Sequence, residues 1–299
     1  MMKKQVGTGI ILLVCLFLLS ACVQQQKQPI DSMPDEELRI ISLSPSQTET
    51  LFALDLADSI IGVSDFCDYP EEATDKEPMG SSWTINLERV LELEPDLVFT
   101  YAGGQPDAVK QMELMGILVI DFSPESVEDV LDSILATGAL TGREIQAESI
   151  VQQMIQERDE IVSLVEGRPR IPVFYQVWDD PLQTAGQGSF IHELIQLAGG
   201  DNIAGNINEP YPMYSVEALI ENNPEIYFMP PHVVDFQEMS EETAEQIREQ
   251  VRKRPGYDQI LAIQHNRIEL LEPNIASRPG VRVIEGLRLF AEAIHPEVF

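Results

Sequence analysis

The chain has 299 residues, with 50 Asp and Glu against 19 Lys and Arg, for a net charge of −31. So acidic a balance excludes a nucleic-acid ligand and argues against adhesion to an anionic membrane surface, since both would repel it. Its hydrophobic share is 44%, and a body of roughly 260 residues is long enough to bury a self-sufficient core.

Lys3 and Lys4 precede a mostly apolar run from Val6 to Leu19, too short for a comfortable bilayer span. The run ends in Leu19-Ser20-Ala21-Cys22. Small residues directly before a cysteine resemble the bacterial lipobox, which implies cleavage ahead of Cys22 and its acylation. The competing reading is an uncleaved N-terminal anchor. Either leaves the rest of the chain outside the cytoplasm and tethered. Residues 1–21 thus read as a lipoprotein signal peptide. Residues 22–37 read as an acylated Cys and a polar tether that includes Gln24-Gln25-Gln26. Cys15 leaves with the signal and Cys22 takes lipid, so Cys67 stands alone and no intrachain disulfide can form.

Past the tether, short apolar runs alternate with helical patterns. Arg39 to Ser44 reads as a buried strand. Ser46 to Leu56 reads as a helix, with Ser46 as cap and Glu49 at the capping-box position. Ile60 to Ser64 is a strand, followed by a loop from Asp65 to Thr84. Asn86 to Leu93 is a helix, Asp96 to Thr100 a strand, Asp107 to Met115 a helix and Ile117 to Asp121 a strand. This alternation predicts an α/β lobe with a parallel or mixed sheet over residues 38–142. From Ser126 to Glu166 the pattern is wholly helical, with Ile150, Met154, Ile161 and Val165 on one face. Residues 143–167 predict one long bridging helix of about 35 Å at ~1.5 Å per residue.

A second α/β lobe follows over residues 168–299. Its strands are expected at Ile171 to Val177, Glu225 to Met229 and Ile268 to Leu271. Its helices are expected at Ser189 to Leu197, Ser215 to Asn222, Ser240 to Arg252 and Val281 to Ile294. The fold predicted is two Rossmann-like α/β lobes joined by a single long rigid helix, with a ligand cleft between them.

An internal repeat ties the halves together. Leu87-Glu88 to Pro95-Asp96-Leu97-Val98-Phe99 matches Val216-Glu217 to Pro224-Glu225-Ile226-Tyr227-Phe228. Each Glu lies seven residues before its Pro. Helix–Pro–strand connections recur in α/β proteins generally, but the paired acids point to two lobes related by a pseudo-two-fold.

Enzymatic chemistry is not legible. There is no G-x-S-x-G elbow and no phosphate loop. Gly186-Gln187-Gly188 reads as a turn. His192, His232, His265 and His295 are scattered without a metal-ligand spacing. Cys67 has no nucleophile motif around it. No catalytic residue, no metal site and no cofactor are expected. Two lobes around a cleft suit a binding protein. Tyr69, Trp83, Trp178, Tyr211 and Tyr214 all fall in loops at strand or helix ends, where an aromatic face would suit a bulky ligand with much apolar area.

The chain resembles the substrate-binding proteins of cobalamin and ferric-siderophore ABC importers, with the cobalamin branch nearer. The resemblance rests on Arg39 to Pro45 with Thr48-Glu49, on Asp68-Tyr69-Pro70, and on Trp83 with Asn86-Leu87-Glu88-Arg89. It continues through Pro95-Asp96-Leu97-Val98, Gly199-Gly200-Asp201-Asn202-Ile203, Ser215-Val216-Glu217 and Arg278-Pro279-Gly280. It implies a monomeric, lipid-anchored protein that hands a small molecule to a permease dimer. It implies that Tyr69, Trp83, Tyr211 and Arg278 line the cleft, with Trp178 making up lost aromatic area. It implies that Glu88 and Glu217 dock on permease arginines, one per lobe. Val177, Gln183 and Asn274 depart from the cobalamin pattern, which leaves a related corrinoid, haem or a siderophore as ligand. An extracellular hydrolase and a manganese or zinc binder are the readings from other classes.

Overall fold

The computed structural model describes residues 38–299, apart from residues 82, 83, 102, 232–235 and 237. The signal segment, Cys22, the tether and Trp83 lie outside the described residues.

Two parallel sheets organise the chain. In the first, β1 (Ile40–Ser42), β2 (Ile60–Val63), β5 (Leu97–Thr100) and β6 (Leu118–Asp121) lie in the order β2-β1-β5-β6. β3 (Gly80–Ser81) and β4 (Thr84–Ile85) form a separate antiparallel pair. In the second, β7 (Ile171–Trp178) lies between β10 (Ile226–Met229) and the short β9 (Gly200–Asn202), and β11 (Ile268–Leu270) flanks β10. The small β8 (Gln183–Thr184) pairs antiparallel with the end of β7. Reading β9-β7-β10-β11 against β2-β1-β5-β6, each half places its first strand between its second and third, and its fourth outermost. The repeat seen in sequence is therefore a repeat of sheet topology. The inner strands are continuous apolar runs because both faces are covered; Leu97, Val98 and Phe99 in β5 and Ile226, Tyr227 and Phe228 in β10 are all buried.

Two helices connect β6 to β7. Val127–Thr141 is capped by Ser126, whose hydroxyl accepts from the Asp129 amide, and ends at Gly142. Glu144–Val165, 22 residues long, follows. Its buried residues Ala147, Val151, Met154, Ile161 and Val165 fall on one face, and that face packs against both the Val127–Thr141 and the Val283–Ile294 helices. Gly138 permits the first of these contacts, since a Cβ there would lie 2.5 Å from that of Ala147. The largest apolar cluster runs without a break from Leu38 and Ile40 through Met154 and Ile161 to Leu287 and Phe290. The two halves therefore share a core, while two satellite clusters cover the outer face of each sheet.

One local expectation fails. The first helix begins at Pro45, in the first-turn position that suits a residue without an amide proton, and Ser44 at the cap makes no side-chain bond. No capping box forms at Ser46. Glu49 is buried and turns toward two arginines described below.

Candidate functional site

In sheets of this kind the loops beyond the carboxyl ends of the strands form the crevice. After β2 comes Ser64 to Pro70, after β5 Tyr101, after β7 the turn to β8, and after β11 the short Pro273–Ser277 helix.

Four charged side chains meet where these loops approach one another. Glu49, with its side chain 1% exposed, faces Arg278 and Arg282. Arg282 donates Nε–H to Glu49 Oε2 at 2.8 Å and Nη2–H to Oε1 at 2.6 Å. Arg278 donates to Glu49 Oε1 at 3.1 Å, to Asp68 Oδ1 at 2.7 Å and to the Phe66 carbonyl at 3.1 Å. Asn274 donates to the other Asp68 oxygen at 3.2 Å. The Arg282 guanidinium also sits 4.0 Å from the centroid of the Tyr69 ring, within cation–π range. A buried carboxylate is tolerated only when its charge and lone pairs are met, and here two guanidiniums meet them. Gly280 lies between the arginines, where a Cβ would stand 3.0 Å from that of Ser46. This network joins the first half to the second.

Behind the Tyr69 loop, the Cys67 sulfur accepts from Thr48 Oγ1 at 3.1 Å and lies 3.2 Å from Ser64 Oγ. Cys67 is 4% exposed and packed in the first half's core, and burial pushes its thiol above the usual range.

The aromatic residues divide. Tyr69 is exposed on the loop just described. Tyr211 is 38% exposed and lies within electrostatic reach of Tyr101, Tyr175 and Glu125. Desolvation, with smaller contributions from these neighbours, holds its phenol well above the ordinary tyrosine value; desolvation raises Tyr101 as well. Trp178 is 55% exposed at the end of β7. The β7–β8 register shifts between Gln176 and Trp178, so that Trp178 pairs with Gln183, and Gln183 pairs in turn with Met213. Directly paired residues share a sheet face. Trp178, Gln183 and Met213 thus form one row, in which Met213 is 72% exposed. Tyr214 does not join it. Its ring is buried against Phe174, with centroids 5.4 Å apart, and its hydroxyl accepts from Asn222. Met213 escaped the reading by residue type, although strand alternation signals it: an outward Tyr211 requires an outward Met213 and an inward Tyr214.

Arg254 holds this corner from below. It donates to Gln176 Oε1 at 2.7 Å, pairs with Asp179 at 2.8 Å and lies 5.5 Å from the Tyr257 ring centroid. The turn that carries Trp178 is therefore fixed on both flanks.

Glu88 and Glu217 are exposed. Each is the second residue of a short helix, capped by Asn86 and Ser215 respectively. Among the described residues no group of three or more His, Cys, Asp or Glu could hold a metal ion. No described helix is long and apolar enough to cross a membrane.

Comparison with known proteins agrees with this architecture. The periplasmic binding protein family model matches residues 40–275, and the chain belongs to that family. The chain is 29% identical to an uncharacterized ABC transporter substrate-binding lipoprotein of Bacillus subtilis, covering 100% of this chain and 99% of that protein. It is 26% identical to the vitamin B12-binding protein of Vibrio cholerae, covering 83% and 86%. Among solved structures, a possible iron-binding (periplasmic solute-binding) protein of Staphylococcus epidermidis superposes with a TM-score of 0.73 at 29% identity, covering 86% of this chain and 98% of that one. The periplasmic vitamin B12 binding protein of V. cholerae superposes with a TM-score of 0.71 at 25% identity, covering 86% and 96%. The protein is a non-enzymatic, extracytoplasmic substrate-binding component of an ABC transporter.

Proposed function

We propose that the protein captures a corrinoid, cobalamin or a close relative, between its two lobes and delivers it to an importer permease, held to the membrane by an acylated Cys22. In this reading residues 38–142 and 168–299 are the lobes and 143–167 the bridge between them. Tyr69, Trp83, Trp178, Tyr211 and Met213 face the ligand, and Arg278 stands at the wall. Glu88 and Glu217 engage the permease.

The observation that carries the reading is the composition of the crevice. Tyr69, Tyr211, Trp178 and Met213 offer it exposed aromatic and apolar area, while Arg278 and Arg282 are already paired with carboxylates. A corrin ring bearing neutral amide arms suits such a wall. An anionic ferric siderophore would want unpaired guanidinium or ammonium groups, and the Lys76 ammonium is turned to the Ala57 carbonyl at 2.6 Å. The relatives named for vitamin B12 support the same choice. Haem and ferric siderophores remain the alternatives within the fold.

The test is intrinsic tryptophan fluorescence of the purified protein during titration with cyanocobalamin, corrected for ligand absorbance and repeated by calorimetry. Saturation below micromolar, a binding free energy beyond about −8 kcal/mol, is expected. Absence of binding, with saturation by haemin or a ferric siderophore instead, would replace the corrinoid.

A further inference from the structure

Arg278 and Arg282 are the cations that meet the Asp68-Tyr69 wall, and neither has charge to spare. The Glu49 carboxylate spends all three of its hydrogen bonds on them, and Asp68 takes a further bond from Arg278. Two carboxylates therefore face two guanidiniums. Glu272 and Glu285 lie within electrostatic reach of Arg282 as well, so the local balance is neutral to acidic. Both guanidiniums are nearly dry, at 16% and 11% side-chain exposure, and Glu49 is drier still. In such surroundings charge is poorly screened. An anionic group brought to this wall would meet paired guanidiniums with carboxylates behind them. Like charges set against each other across a contact suppress the wrong partner.

We propose that Glu49, assisted by Asp68, sets the charge selectivity of the cleft: by neutralising Arg278 and Arg282 it admits ligands that present uncharged hydrogen-bonding groups at the Tyr69 wall and rejects those that present carboxylates or catecholates there. The inference rests on the reading of Tyr69 as part of the ligand wall. Glu49 is a positioning residue, acting through the arginines and not by contact.

The experiment compares three probes by calorimetry: cyanocobalamin, its monocarboxylic acid in which one peripheral amide is hydrolysed, and a ferric tris-catecholate. The wild-type protein should prefer the amide corrinoid to its carboxylate by at least about tenfold. Glu49→Gln should erase most of that preference and raise tris-catecholate affinity by a similar factor. Asp68→Asn, a change at a half-exposed residue that leaves the core intact, should move both in the same direction by a smaller factor. Glu49→Gln combined with Arg282→Gln removes the released charge and should return the anionic probes to wild-type affinity, which mere loosening of the lobes would not do. If neither single variant gains affinity for any anionic probe, or if the double variant keeps the gain, the assignment is overturned. If the wild type ignores both corrinoids while both single variants still gain tris-catecholate affinity, the corrinoid reading falls and the role of Glu49 stands.

Discussion

Glu88 and Glu217 occupy the same place in the two halves of the molecule. Each is the second residue of a helix capped by the preceding Asn86 or Ser215 side chain. Each of those helices leads into an inner strand of its sheet, β5 between β1 and β6, β10 between β7 and β11. A carboxylate in the first turn is favoured by the helix dipole, but that gain alone does not call for an exposed acid at matching positions of both halves. A partner with two-fold symmetry would need one such anchor on each lobe.

Glu88→Ala together with Glu217→Ala is accordingly expected to leave ligand affinity near wild type and to abolish transport in vesicles that carry the permease. Each single variant should retain part of the transport. Calorimetry and vesicle uptake, run side by side, separate the two roles. A collapse of ligand affinity would place these carboxylates in the cleft instead.

Met213 and Trp178, linked through Gln183 in a single row, offer exposed apolar area. Met213→Ala should weaken ligand binding by roughly 1 kcal/mol, about fivefold, if a good part of that side chain is covered on binding. Unfolding in urea should be unchanged within about 0.5 kcal/mol, as for an exposed position. Gln183→Phe, which fills the middle of the row, should tighten binding.

How much of this was legible in sequence follows from distance along the chain. The inner strands announce themselves as apolar runs, and the paired Glu–Pro spacing exposes the repeat. β8 and β9, of two and three residues, are too short to carry a period. The Pro273–Ser277 helix hides behind its own proline. The local spacing of Glu49 fits a capping box. Its true partners are 229 and 233 residues away, and no local rule reaches them. Residue type and loop position group Tyr214 with the ligand-facing aromatics, but its ring is buried against Phe174, one residue out of step with the exposed Met213.

Gly280 marks a close approach of the two halves near the arginines. A Cβ there would lie 3.0 Å from Ser46 Cβ, 3.2 Å from its carbonyl oxygen and 3.3 Å from its Cα. Two of these atoms are backbone at the start of a helix and cannot swing aside. Gly280→Ala should therefore destabilise the protein by about 1–3 kcal/mol, the usual cost of overpacking, and should disturb Arg278 and Arg282 on either side. Urea denaturation reads the first effect and ligand affinity the second.

Cys67 should be inert in the folded protein. It is 4% exposed, takes hydrogen bonds at sulfur, and has its thiol raised chiefly by burial. The thiolate is the reactive form, so an aromatic disulfide reagent at pH 8 should leave Cys67 unmodified under native conditions and label it fully in denaturant. Rapid native labelling would mean that the Tyr69 loop opens.

His192 supplies a pH dependence with a defined sign. Asn202 Nδ2 stands 3.2 Å from His192 Nδ1, and Asn202 Oδ1 accepts from the Ala204 amide. The Asn202 nitrogen can only donate, so His192 Nδ1 accepts and the folded state holds the neutral ring. Burial lowers its pKa, and Asp201 offsets this only in part. The unfolded chain therefore takes up the proton first, near the ordinary histidine value of about 6.5, and protons favour unfolding. The stability that His192 contributes is whole above that value. It is lost as pH falls through the interval between the ordinary value and the lower native one, and the loss is complete below the native value. His192→Gln removes this titration. The difference in melting temperature between wild type and variant should shift against the wild type between pH 7 and pH 5, and the His192 ring protons should titrate by NMR below the ordinary value. A difference that stays constant with pH would show that the ring accepts its proton without cost, and the Asn202 contact would then have to reorganise on protonation.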